Sequence, residues 1–229
     1  MSKLILNKIL LNVLIPKSQT SSPDVDKNAG FSLIELVAVI LMIGILAAMA
    51  LPAWLSFVNR QNLNKANDVI LSAIQEAQRE AKRQKVSYSV SFRTDNNIAQ
   101  ISIHPGATPT TWRNLGQDVG IKAEQVTLFT NLTATNKTTS STSISYLTST
   151  NTITFDYMGA LDFGSQIKTN VSSVQTNNIG AKGLIIGVAP PRYDATTVVN
   201  DVKSKRCVVI KTLLGSTQTK KDDDCKVTS

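Results

Sequence analysis

The chain has 229 residues, with 24 lysines and arginines against 16 aspartates and glutamates, one histidine and two cysteines. So few histidines and cysteines give neither a zinc site nor a convincing Ser/His or Cys/His nucleophile pair, which argues against a metalloenzyme or a triad hydrolase. The length allows one soluble domain beside a single spanning helix, and the net charge of +8 reads more plainly as a mildly basic, soluble surface than as the mark of an acidic partner.

Residues 1–30 read as a processing segment rather than fold. They carry Lys3, Lys8, Lys17 and Lys27 with Asp24 and Asp26, and removing them leaves 20 basic and 14 acidic residues. The apolar run Leu4 to Ile15 is too short to span a bilayer, and no small-x-small cut site follows it. From Phe31 to Leu55, by contrast, only Ser32 and Glu35 are clearly polar. As a helix this stretch reaches about 37 Å, enough to cross a hydrocarbon core with some tilt. Lysines before it and none within it place the leader on the cytoplasmic side and everything after Leu55 outside. Glu35 costs about 2–3 kcal/mol near the end of a spanning helix unless a cation pairs with it. No Lys or Arg lies between Phe31 and Leu55, but a cut after Gly30 would create an α-amino group on Phe31.

Gly30, Phe31, Ser32, Leu33, Ile34 and Glu35, with Pro52 farther along the helix, resemble the type IV prepilin signature. The resemblance implies cleavage between Gly30 and Phe31 by a prepilin peptidase and N-methylation of Phe31. It also implies assembly through Glu35 and the apolar helix, with other pilins or pseudopilins and an inner-membrane assembly platform as partners.

The helix is expected to continue past the membrane to Lys85. Leu63, Ala66, Val69, Ile70, Ala73, Ile74, Ala77 and Ala81 recur every three or four residues as one core-facing stripe. Gly44 and Pro52 should weaken or kink the membrane half. After Lys85 the period becomes two: Val86, Tyr88, Val90 and Phe92 alternate with Ser87, Ser89, Ser91 and Arg93 as a half-buried strand. Asp95-Asn96-Asn97 turns it into a second strand, Ile98 to Ile103. His104-Pro105-Gly106 ends the hairpin, so His104 is a turn or surface histidine. Residues 105–123 form a loop anchored by Trp112, and Gln125 to Thr130 is a strand. The Thr/Ser/Asn-rich stretch 131–152 is a surface excursion with a short strand at Ile144–Leu147. Further strands run from Thr152 to Asp156, Gly183 to Ala189 and Arg206 to Leu214, and the tail with Asp222–Asp224 is exposed. Those three adjacent acids lack the spacing of a calcium loop and read as solvated.

The fold class expected is therefore α+β. A long N-terminal membrane-spanning helix packs its C-terminal half on an antiparallel β-sheet domain, divided as leader 1–30, spanning helix 31–55, soluble helix 56–85 and β-rich head 86–229. The ITFDYMG turn and the late CVVI…LLG strand resemble the GspH/FimT branch of minor pilins and pseudopilins, which implies a non-enzymatic subunit without cofactor or metal. DNA-binding members of that branch carry a C-terminal Gly-Arg-x-Arg; here Gly215 precedes Ser216, Thr217 and Gln218, so nucleic acid is not expected as a partner. The basic group Lys203, Lys205 and Arg206 is the remaining candidate for phosphate contacts, against a plainer solvated loop. A DNA-uptake pilin and a signal-anchored enzyme are the rival readings. Cys207 and Cys225, both on the oxidising side, are expected to form a disulfide that pins the tail to the sheet; two free thiols are the alternative.

Overall fold

The computed structural model describes residues 31–138, 144–163, 179, 182–191, 199 and 202–226. The leader and residues 139–143 of the Thr/Ser/Asn-rich stretch lie outside the described residues. One helix, α1, runs from Leu33 to Gln84. Ser32 caps its start, its Oγ accepting the Glu35 N–H at 3.2 Å. At the other end Lys85 adopts a left-handed φ of 58° and gives its N–H to the Ala81 carbonyl at 3.0 Å, which closes the last turn. Gly44 and Pro52 both lie inside this single helix.

The chain divides into two compact units, Met1–Met49 and Ala50–Ser229. The described residues of the first are exposed throughout and helical from Leu33 onward. Within the second, the rest of α1 is joined by antiparallel strands in three sheets. The first sheet has the order β3-β2-β1-β8, formed by β1 (Tyr88–Asp95), β2 (Ile98–Pro105), β3 (Arg113–Asn114) and β8 (Asn151–Phe155). The second has the order β11-β10-β9-β4-β7, from β4 (Thr127–Thr130), β7 (Ser145–Tyr146), β9 (Leu184–Ala189), β10 (Arg206–Ile210) and β11 (Thr217–Lys221). A small pair, β5 (Leu132–Ala134) and β6 (Lys137–Thr138), stands between β4 and β7 in sequence. The fold is α+β: a long N-terminal apolar helix followed by antiparallel sheets.

The main core gathers Leu63, Ala66, Ile70, Ala73, Ile74, Ala77 and Ala81 of α1 with inward residues of both larger sheets, among them Val90, Phe92, Ile101, Ile153, Ile186 and Val208. Four of the seven helix positions are alanine, which lets the helix approach the strands closely. Strands β9 and β10 are buried on both faces. Leu184, Ile186, Val188, Val208 and Ile210 face the main core, whereas Ile185, Cys207 and Val209 join Phe129, Val199 and Cys225 in a second cluster. A strand covered on both faces has no reason to alternate, so both read in sequence as unbroken apolar runs. Gly187 is required by this packing, since a Cβ there would collide with the Phe129 ring and the Arg206 carbonyl.

Four expectations need correction. Ser89 and Ser91 do not face water: both are buried, as are Ser102 and His104. The Ser89 and Ser91 hydroxyls are satisfied by β8 instead, Ser91 Oγ lying 2.7 Å from Thr152 Oγ1 and Ser89 Oγ 2.9 Å from Thr154 Oγ1. Val86 precedes β1 and is 46 % exposed rather than inward. His104 belongs to β2, paired opposite Ser89, and is not a turn residue.

The fourth concerns 131–152, whose described part is not a surface excursion. Asn131, Leu132, Asn136 and Thr138 are all buried. Asn136 accepts the Thr154 N–H at 3.0 Å and donates to the Thr154 carbonyl at 2.7 Å and to the Asp162 carbonyl. Asn131 likewise accepts from Ile185 N at 2.7 Å and donates to Gly183 O at 2.9 Å. A side-chain amide offers the donor and acceptor of a peptide group, so these asparagines pair with strands as backbone would.

Candidate assembly site

The residues at the head of α1 form the candidate site. Phe31 is exposed, Ser32 caps the helix and Glu35 stands in the first turn, where the helix dipole favours a carboxylate. The pattern Ser32-x-x-Glu35 has the spacing of a capping box, a signal legible in the sequence that explains the small hydroxyl residue beside the acid. Among the described residues no ion pair involves Glu35. From Leu33 onward Leu36, Val37, Ile40, Leu41, Ile43, Leu51, Trp54 and Phe57 are all exposed. α1 is long and apolar enough here to cross a membrane by length and composition. A helix apolar all round that no described residue covers needs other apolar groups, lipid or helices, around it.

The other candidate residues divide. Cys207 and Cys225 are joined in a disulfide with Cα atoms 5.9 Å apart, and both are fully buried. Cys207 lies on β10 and Cys225 ends a 3-10 turn, Asp222–Cys225, so the bond holds that turn against the second sheet. The tail is not loose: β11 pairs with β10 from Arg206↔Lys221 to Ile210↔Thr217.

Lys203, Lys205 and Arg206 do not share one exposed face, and this corrects the picture of a solvated basic loop. Lys203 is exposed. Lys205 is fully buried, its Nζ donating to the Val199 carbonyl at 2.9 Å. Arg206 donates to Asp222 Oδ1 at 3.0 Å and to Asn64 Oδ1 at 2.7 Å. Asp222 is therefore committed to the fold, while Asp223 and Asp224 remain exposed. Lys226, 2.7 Å from Asp223, holds that carboxyl below its ordinary value. Among the described residues no group of three or more His, Cys, Asp or Glu is placed to hold a metal ion.

His104 Nε2 lies 2.9 Å from Ser91 Oγ. That is nucleophile–base distance, but both residues are buried and the hydroxyl is already engaged with Thr152. Burial pushes the His104 pKa down, against a weaker pull upward from the Pro105 carbonyl. The pair is an internal strut. Trp112 is half-buried under Arg93, whose guanidinium carbon sits 4.3 Å from the ring centre. Gln78, unmarked by any pattern in the sequence, bonds to two separate turns of the head at once.

Residues 26–51 match the family model described as the prokaryotic N-terminal methylation motif. No curated protein matches the chain. The crystal structure of the type IV minor pilin FimU of Pseudomonas aeruginosa matches at 15 % identity and a TM-score of 0.41, covering 74 % of this chain and 98 % of that one. The matched methylation motif thus lies at the head of the long apolar helix α1, with the antiparallel sheets behind it.

Proposed function

We propose that the chain is a non-enzymatic minor pilin or pseudopilin of the GspH/FimT type, a subunit of a type IV pilus or of a type II secretion pseudopilus. In this reading residues 1–30 are removed by a prepilin peptidase and Phe31 is methylated. Residues 31–55 hold the subunit in the inner membrane, with residues 56–85 and the head 86–229 outside the cytoplasm. An assembly platform then lifts it into the filament. The observation that carries the reading is Glu35, an acid in a stretch without Lys or Arg, lying inside the matched motif. An unpaired carboxylate among apolar helices requires a cation from elsewhere, and the α-amino group of a neighbouring subunit's Phe31 supplies one.

N-terminal analysis of the membrane-extracted chain is expected to begin at methylated Phe31; a chain that retains Met1 or starts elsewhere removes the reading. Glu35→Ala is expected to insert and be processed normally yet be depleted from filaments, and wild-type incorporation would dismiss the pairing.

A further inference from the structure

Strand β11 is an edge of the second sheet, where its neighbour is β10. Two backbone bonds just outside the strand fix which of its groups point away from that neighbour. Asp222 N–H donates to the Lys205 carbonyl at 2.9 Å, and Lys211 N–H donates to the Ser216 carbonyl at 3.1 Å. In an antiparallel ladder bonded and unbonded pairs alternate. Ser216, Gln218, Lys220 and Asp222 therefore bond across to β10 and its flanks, while Thr217, Thr219 and Lys221 turn their N–H and C=O groups outward. No strand among the described residues takes these outward groups.

The same alternation sorts the side chains. Thr219 pairs with Val208 and Lys221 with Arg206, on the sheet face turned to the main core; Lys220 pairs with Cys207, on the opposite face. On the first side a groove of about 500 Å³ runs between the edge and α1, with Asn64, Asn67 and Asp68 on one wall and Thr219 and Lys221 on the other. Asn67 is buried, and its Oδ1 has no hydrogen-bond partner among the described residues. It is a side-chain amide of the kind that Asn131 and Asn136 join to strands. On the opposite face Lys220 borders a hollow of about 260 Å³ together with Lys182 and Lys211. Among the described residues none of these three lysines is in an ion pair. Asp223 in that hollow is taken by Lys226, which leaves Asp224 against the three lysines.

These features define an occupant. A row of outward N–H and C=O groups at ladder spacing is matched by an extended backbone, as in strand addition to a sheet edge. The lysines call for carboxylates on the same face of the added strand, which means at every second residue. On the face toward α1 Asp68 offsets Lys221 and the wall is lined by amides, so the residues between the acids should be small and polar. Lysines on the edge discourage pairing with an uncharged strand.

We infer that β11 takes up an extended segment of a partner protein, with acidic residues at alternate positions, as a further strand of the second sheet. The site involves neither Glu35 nor the apolar part of α1, so the inference does not rest on the filament reading.

The test uses the full-length chain in detergent micelles and, as probe, a fluorescent capped heptapeptide of alternating glutamate and threonine. Anisotropy is expected to show saturable binding. Hydrogen exchange is expected to show new protection of the Thr219 and Lys221 amides, with those of Gln218 and Lys220, already bonded to β10, unchanged. No binding, or protection elsewhere, overturns the inference. Two N-methylated versions of the peptide, one blocked at the threonine nitrogens and one at the glutamate nitrogens, should differ in affinity by about tenfold or more, because only one set faces β11. Equal affinities reduce the site to plain charge attraction and overturn strand addition. Lys220→Glu, with its disulfide intact and its urea midpoint unchanged, is expected to lose the glutamate peptide and to take the lysine–threonine analogue; an unchanged preference overturns the inference. Where that variant shifts the midpoint, Lys211→Glu makes the same test. Protection of the same amides without peptide, rising with chain concentration, would assign the edge to a second copy and overturn the acidic partner.

Discussion

The two stretches of α1 make opposite use of apolar residues. Before Phe57 the helix is almost wholly apolar, and its large side chains are exposed. After Asn62 apolar residues fall on one stripe, and Leu63, Ile70 and Ile74 have at most 1 % of their surface left in solvent. The more hydrophobic stretch is thus the one with no partner among the described residues. An all-round apolar surface cannot be covered by one sheet; it calls for lipid or a bundle of like helices. A single stripe is what one face of a sheet can bury. Composition alone ranks the first stretch as more core-like, and the geometry reverses that order within the chain.

The largest expected effect sets one isoleucine against another. Ile70→Ala should lower the stability of the head by about 2–5 kcal/mol, because it opens a cavity at a fully buried site. Ile43→Ala, on the same helix but exposed, should leave the head's urea midpoint in detergent unchanged. Equal losses from the two would break the contrast between the stretches.

The disulfide sharpens it next. Mass spectrometry of non-reduced protein from its native compartment is expected to find Cys207 linked to Cys225, and two free thiols would reject the bond. Replacing both cysteines by serine should cost the head about 3 kcal/mol in the chain-entropy picture for a separation of 18 residues. Membrane insertion, which belongs to the other stretch, should not change.

Asn136→Ala should cost about 1–3 kcal/mol by orphaning the Thr154 amide and taking one donor from the Thr154 and Asp162 carbonyls. Asn136 has a φ of 53°, so Asn136→Gly should recover about 1 kcal/mol of that loss. If the two variants are equally stable by urea titration, backbone strain has no part in the cost.

The smallest effect is a pH dependence confined to the head. Burial lowers the folded pKa of His104 below the ordinary 6.5. In that window the unfolded chain binds more protons, so stability should fall as pH drops below about 6.5 and level off below the folded pKa. His104→Gln should flatten this part of the profile; an unchanged slope would assign it to other groups.

Local pattern set the fold class, the long helix and the N-terminal methylation motif, because each depends on residues near one another in sequence. The three-and-four spacing of Leu63 to Ala81 fixes which helix face is buried whatever sheet covers it. The apolar runs at Leu184–Ala189 and Arg206–Ile210 mark strands covered on both sides. The hydroxyl residues of β1 misled for a tertiary reason: alternation indicates two faces, but only the opposing Thr152, Thr154 and His104 decide that the polar face is closed. Strand β11 has no apolar period at all and exists because Thr217–Lys221 pairs with β10. The burial of Lys205, the strand-like bonds of Asn131 and Asn136, and the joining of the Tyr157 and Leu214 turns by Gln78 likewise unite residues far apart in the chain. A lysine, an asparagine or a glutamine has the same local character wet or buried, and only the partners that folding brings to it decide which.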